Sequence, residues 1–150
     1  MIRRANLSDV PWLLEQLRQF DRFFGGKKSL FPDDPEVATA IVGGLVETQP
    51  FFISESKGTP IGFIAGALAP HPYNPSLLVL AELFWWVSPE FRGSLSGARL
   101  LAHFIEHGEQ NADWIQLTLE AKSPVSEQSL LKQGFQLYER SYLREVNNAA

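Results

Sequence analysis

The chain has 150 residues, with 13 basic and 17 acidic side chains, a formal net charge of -4, 45% hydrophobic residues and no cysteine. This describes one globular domain over residues 1–150 and excludes collagen-like, low-complexity and coiled-coil chains; the lack of Cys excludes a disulfide scaffold, a thiol nucleophile, an iron–sulfur cluster and Cys-based zinc. The acidic balance speaks against a nucleic-acid partner. Charges scattered through the first thirty residues, and no apolar run near the roughly 18 residues of a span, speak against a leader or a membrane partner, so a cytoplasmic location is expected.

Residues Ile2 to Ala5 read as a short strand. Ser8 then caps a helix whose apolar positions Val10, Leu13, Leu14 and Leu17 recur at helical spacing and which is expected to end near Phe20. A loop of mixed aromatic, glycine and basic residues, 21–28, precedes Pro32 and Pro35, which open a second helix with Val37, Ala40, Ile41 and Leu45 as its apolar positions. Pro50–Ser54 and Ile61–Leu68 form a hairpin around Lys57 and Gly58. Ala69 to Pro75, with three prolines, reads as a stiff loop. Leu77 to Val87 is a long apolar strand broken by one acid, Glu82, and closed by Ser88 and Pro89. A helix follows to about Gln110, striped by Leu100, Leu101, Phe104 and Ile105. Trp114–Glu120 alternates as a strand, Pro124–Gln133 is a helix ended by Gly134, and Phe135–Val146 is read as terminal β. The order is β α α β β β α β α β, without internal repeat or linker.

The segment between the long strand and its helix is physically an anion site. Unpaired N–H groups of a first helical turn, the helix dipole and close backbone approach at glycine all favour a phosphate. Arg92 adds a formal charge. The segment lacks the Gly-Lys-Ser/Thr of a P-loop, the run Gly26-Lys27-Lys28-Ser29 has neither the upstream glycine nor a preceding strand, and Gly93 and Gly97 do not fit G-x-G-x-x-G.

The run Val87-Ser88-Pro89-Glu90-Phe91-Arg92-Gly93-Ser94-Leu95-Ser96-Gly97-Ala98 resembles the acetyl-CoA loop of the GNAT superfamily, Gln/Arg-x-x-Gly-x-Gly/Ala after a strand ending near V-x-P. Arg92 and Gly97 match the ends of that pattern, and Leu95 stands where its middle glycine is expected. Leu130-Leu131-Lys132-Gln133-Gly134-Phe135 resembles in part the second mark, Y-x-K-x-G-F. The resemblance implies a single α/β domain with a central mixed, mostly antiparallel sheet flanked by helices and splayed at the loop. It implies acetyl-CoA as co-substrate, with the amides of Arg92, Gly93, Ser94, Leu95, Ser96, Gly97 and Ala98 around its pyrophosphate. The strand edge at Trp86 and Val87 would pair with pantetheine, and Ser123 would stand where the family often has a cofactor-contacting Asn. An amide survives a side-chain change, so Leu95 is tolerated there provided its φ is negative. A homodimer is compatible with the resemblance, and no metal is required.

Acyl transfer to an amine needs a base for the nitrogen proton and an acid for the leaving thiolate. Glu82 is the candidate base, because a lone carboxylate within an apolar strand is costly unless exposed or paired, and burial raises its pKa towards neutrality. The bland alternative is an acid paired with Arg or facing solvent; Glu120 is the fallback. The family's tyrosine is Leu130 here, which leaves Tyr138 and Tyr142 as candidate acids, Ser126 or Ser129 as water organisers, or a thiol that leaves unaided. Phe20, Asp21, Phe23 and Phe24 would rim an amine-binding cleft, and His71 is a further candidate to line it. Trp85 and Trp86 alternate on their strand, one towards the helices and one towards the acceptor. His103-Phe104-Ile105-Glu106-His107 spells H-x-x-E-H, a zinc-peptidase pattern without an identifiable third ligand. The expected activity is N-acetyl transfer to an amine-bearing small molecule or protein; the alternatives are a non-catalytic CoA-binding or protein-interaction module on the same fold, and a zinc hydrolase.

Overall fold

The computed structural model describes residues 1–26 and 28–146; Lys27 of the glycine-lysine run lies outside them. Five strands, β1 (Ile2–Arg4), β2 (Phe51–Ser56), β3 (Thr59–His71), β4 (Asn74–Val87) and β5 (Trp114–Gln116), form one sheet in the order β1-β2-β3-β4-β5. The first three pairings are antiparallel and β4 with β5 is parallel. Helices α1 (Val10–Phe24) and α2 (Pro35–Thr48) cover one face, α3 (Ser96–Asn111) and the short α4 (Glu127–Lys132) the other. The sheet is therefore mixed, mostly antiparallel and sandwiched by helices, as expected.

Alternation along the strands divides the core in two. Phe51, Ile53, Phe63, Ala65 and Trp86 pack with Leu13, Leu17, Phe20, Val42 and Val46 under α1 and α2. Phe52, Ile64 and Leu80 pack with Leu100, Leu101, Phe104 and Leu130 on the opposite face. Side chains one residue apart thus serve different layers, as the period-two geometry of a strand requires.

Several boundaries differ from expectation for local reasons. The first helix is capped by Asn6, not Ser8: the Asn6 side chain accepts from Ser8 N–H at 2.9 Å, Asp9 accepts from Asn6 N–H at 2.8 Å, and a 3-10 turn over Leu7–Asp9 leads into α1. Arg3 holds Asp9 with both terminal nitrogens, at 2.8 and 2.7 Å, and keeps its carboxyl below the usual range. Helix α1 runs past Phe20 to Phe24, because Phe20 and Phe24 stack at 4.9 Å and give the last turn its own apolar contact. Helix α2 turns Ala38, Val42, Leu45 and Val46 inward and leaves Val37, Ala40 and Ile41 exposed. Its sequence is apolar nearly all round, so spacing alone does not select a face.

The proline-rich stretch 69–75 is not a loop. β3 and β4 continue through it and turn tightly at Pro72 and Tyr73, with His71 opposite Asn74 and a register shift beside Pro70. Ladder pairing over so long a hairpin outweighs the prolines, which fall near the end where missing donors cost least. In contrast, regular pairing in β5 ends at Gln116, and residues 135–146 form no strand. The expected terminal β is thus absent, and Leu137, Tyr138, Tyr142 and Leu143 are exposed.

Gly66 marks the tightest crossing on β3. A Cβ there would lie 2.8 Å from Phe104 Cε2 and 2.9 Å from the Ala81 carbonyl oxygen. Gly66→Ala is expected to destabilise the protein by about 1–3 kcal/mol through overpacking, read as a fall of several degrees in Tm. An unchanged Tm would mean that β3 and β4 separate more readily than their register indicates.

Candidate active site

The parallel partners β4 and β5 stay together over Val79–Ala81 and Trp114–Gln116, then part. Beyond Ala81, β4 has β3 on one side and an open edge on the other. Ser88 N–H donates to the Ile61 carbonyl at 2.8 Å, on the β3 side. By alternation the main-chain groups of Trp86 also face β3, whereas those of Trp85 and Val87 face the open edge. The Val87 carbonyl does so visibly, accepting Arg92 Nε at 3.1 Å. The wedge between the parted strands holds a cavity of about 250 Å³ lined by Phe23, Phe24, Glu82, Trp85, Trp86, Val87, the loop residues Phe91 to Ser94, Gly97, and Thr118 to Glu120 with Ser123 to Val125.

The loop at its mouth combines a 3-10 turn, a left-handed glycine and the start of a helix. Pro89–Phe91 make a 3-10 turn, Arg92 returns to extended backbone, and Gly93 takes φ +86, which glycine adopts without strain. Leu95 has φ -79 and ψ 0, so the side chain standing in place of glycine meets no backbone penalty, and it points to solvent at 66% exposure. The N–H groups of Gly93, Leu95, Gly97 and Ala98 donate to no acceptor among the described residues. Ser94 Oγ takes the Ser96 N–H at 3.3 Å. Four open donors thus lie within six residues of chain, three of them within two residues of the N-terminus of α3.

Side chains anchor this loop from behind. Gln16 interrupts the apolar stripe of α1 and is buried; its Oε1 accepts from Trp86 Nε1 at 3.0 Å and from Ser88 Oγ at 2.9 Å. It ties the end of β4 to the helix. Gln16→Leu leaves both donors without an acceptor and is expected to cost about 1–3 kcal/mol, measured by denaturant unfolding, with a shift in tryptophan emission. A variant as stable as the parent would show that water replaces the glutamine.

Glu82 sits within the wedge. Its Oε2 accepts the Thr118 N–H at 3.4 Å. Burial, and then the charge of Glu120, raise its pKa to about 8, against the small opposing effect of that hydrogen bond. Glu120 is raised as well, by burial. Two carboxyl groups face one cavity, one of them holding its proton through neutral pH. Ser123 lines the same space; its Oγ accepts from Val125 N–H at 3.2 Å, which leaves the hydroxyl proton free to donate into the cavity.

Glu82, Trp86, Val87, Arg92, Gly93, Ser94, Gly97 and Ser123 thus meet at one cavity, whereas Leu95, Ser96 and Ala98 do not line it. The aromatic rim is there in part: Phe23 and Phe24 line the wall, while Phe20 is core and Asp21 accepts from Ser29 Oγ and Leu30 N–H outside the cavity. Trp85 and Trp86 serve opposite layers, yet both reach the cavity.

Other expected residues lie elsewhere. Tyr138 packs edge-on to Trp114 at 5.7 Å, and Tyr142 is 88% exposed; without a terminal strand to carry them inward, neither lines the cavity. Ser126 caps α4, accepting from Ser129 N–H. His71 stands at the hairpin end beside Tyr73 and Trp114. His103 and His107 lie edge-on to Phe52 at 4.6 and 5.4 Å, and no group of three His, Asp or Glu among the described residues is placed to hold a metal. Gln16, Thr118 and Phe91 were missed by sequence reasoning. A polar residue inside an apolar helical stripe was the available signal for Gln16; none marks the other two.

No helix among the described residues is long and apolar enough to cross a membrane. No curated protein matches the chain. Among solved structures it is similar to a transcriptional regulator from Bacillus halodurans C-125 (17% identity, TM-score 0.74, covering 97% of this chain and 99% of that one). It is also similar to a ribosomal-protein-alanine N-acetyltransferase from Brucella melitensis biovar Abortus 2308 (15%, TM-score 0.70, 97% and 99%). A third is an aminoglycoside acetyltransferase from an uncultured soil metagenomic sample in complex with sisomicin (12%, TM-score 0.67, 100% and 96%). At these identities the likeness is one of fold. The family model for the acetyltransferase (GNAT) family matches residues 14–135, which include α1 from Leu14 onwards, the whole wedge and the loop. The chain therefore belongs to the GNAT acetyltransferase family.

Proposed function

We propose that the protein transfers an acetyl group from acetyl-CoA directly to a primary amine. The observation that carries this reading is the set of open N–H donors on Gly93, Leu95, Gly97 and Ala98 beside a cavity that also holds Glu82. Those donors suit a diphosphate, and Arg92 supplies the formal charge that glycine amides lack. The outward main-chain groups of Trp85 and Val87 suit the amides of a pantetheine arm laid along the strand, as an added strand would lie. Trp86 takes no part in that pairing, because its peptide groups belong to the β3 ladder. Bound there, acetyl-CoA supplies an activated acyl carbon at the open edge of β4.

Glu82 is the proposed base. Its carboxylate accepts the proton of the attacking nitrogen as the N–C bond forms and the C–S bond breaks. With a pKa of about 8 the carboxyl is largely protonated at neutral pH, so the ionised base, and turnover with it, is expected to rise as the pH approaches 8. Glu120 adds negative charge that draws a cationic acceptor into the wedge. Among the described residues the cavity lining contains no tyrosine, so the thiolate leaves with a proton from solvent, which its low basicity allows.

The test is titration with acetyl-CoA followed by calorimetry, alongside release of free CoA and the mass of acetylated amine. Binding with product formation across an amine panel is the expected result. Binding without CoA release from any amine would favour a non-catalytic module on this fold, for which the unmatched tyrosine at Leu130 is the motivating observation. Absence of binding would remove the loop from the reading altogether.

A further inference from the structure

The aromatic wall of the wedge already carries a cation. The Arg92 guanidinium lies 4.4 Å from the centroid of Trp86 and 5.3 Å from that of Phe23. Phe23, Phe24 and Trp86 form a mutually packed set, with centroids 4.7 to 6.2 Å apart. Aromatic rings that hold a guanidinium will hold other organic cations by the same quadrupole attraction. Arg92 also blocks the strand edge, since its Nε occupies the outward carbonyl of Val87. One side chain therefore has two incompatible duties: it cannot cover Trp86 and Val87 while turned to a diphosphate beyond Gly93. When the coenzyme draws it away, the ring of Trp86, a residue only 4% exposed with Arg92 over it, opens onto a cavity whose far end is acidic.

Resting on the acetyl-transfer reading above, we propose that this vacated seat on Trp86 and Phe23 receives a second cationic group of the acceptor, so that the preferred acceptors are dications. One end is held over the rings, and the reacting amine lies towards Glu82 and Glu120. Glu82 and Trp86 are four residues apart on β4 with a bulge at Leu83 between them, which limits the span between their α-carbons to at most roughly 13 Å. That leaves room for an alkyl chain between the two charges, against Phe24 and Leu119. Arg92 thereby imposes an order: the seat is free for the acceptor only after the coenzyme is bound.

The test compares hexamethylenediamine with hexylamine, which differ only in the second charge. Calorimetry with each amine, with and without CoA, reads the seat independently of turnover. With CoA present the diamine is expected to bind at least about tenfold tighter than the monoamine, and without CoA that preference should largely vanish. Arg92→Ala should show the preference without CoA. Phe23→Leu, at a position 40% exposed and therefore tolerant of change, should lose it with CoA present. Equal binding of the two amines in the presence of CoA overturns the proposal, as does a preference unaffected by Phe23→Leu, which would assign it to the carboxylates alone. If acetyl-CoA is consumed equally well with both amines, the seat fails and acetyl transfer stands. If the diamine preference appears in calorimetry and no acetylated product forms, the seat stands and catalysis fails.

Discussion

Glu82→Gln is expected to lower turnover on the order of 100-fold while leaving coenzyme affinity nearly unchanged, because a proposed base is removed and the loop is untouched. The same substitution should make the protein more stable, and the sign follows from proton linkage. Unfolded, Glu82 releases its proton near 4.5; folded, it keeps it to about 8. Between those values the native state binds more protons than the unfolded chain, so this residue's contribution to stability falls as pH rises. Above pH 8 the penalty is complete, and below pH 4.5 it is absent. Glutamine has no proton to lose and keeps the shape of the neutral acid. The variant's advantage should therefore grow from pH 5 to pH 9, reaching on the order of 2 kcal/mol once water access to the wedge is allowed for. Parallel Tm–pH curves for the two proteins would show that Glu82 is solvated, and unchanged turnover would remove it from proton transfer.

Gly97→Val and Gly93→Val separate binding from folding at the loop. Gly97 lies in the first turn of α3, where a Cβ would stand 3.6 Å from Val87 Cγ2, an ordinary contact. The valine branches would extend from there into the mouth of the cavity. Tm is expected to hold while CoA affinity falls tenfold or more, since keeping one phosphate oxygen from charge-assisted donors forfeits about 1.5–3 kcal/mol. Gly93 has open space around it but a φ of +86, so its substitution meets backbone strain and no clash. A β-branched residue there should lower both Tm and affinity as the loop refolds to negative φ. Equal CoA binding in Gly97→Val would mean that the phosphate approaches elsewhere.

The parts of this molecule legible from sequence are those where one local rule acts alone. The hairpin at Lys57 and Gly58, the apolar stripe of α1 and the strand–glycine–helix order around Arg92 each follow from neighbours in sequence. Where two rules compete, the winner depends on partners distant in the chain. The prolines at 70 and 72 argue for a loop, yet the long ladder with β3 carries the strand past them. Helix α2 offers apolar residues on two faces, and Val42 and Val46 are chosen because the sheet lies on that side. Phe135–Val146 has alternating character but no edge that takes it up. The wedge shows the same division. Glu82 and the loop donors stand out as a lone acid and as glycines, whereas Gln16, Thr118 and the coupling of Arg92 to Trp86 exist only once α1, β4 and β5 meet.

The parting of β4 from β5 after Ala81 has a consequence for the protein at rest. It leaves the outward peptide groups of Trp85 and Val87 without a neighbouring strand in the interior of the sheet order, where another polypeptide's extended segment would find ready partners. Arg92, by occupying the last of those carbonyls, blunts that rim.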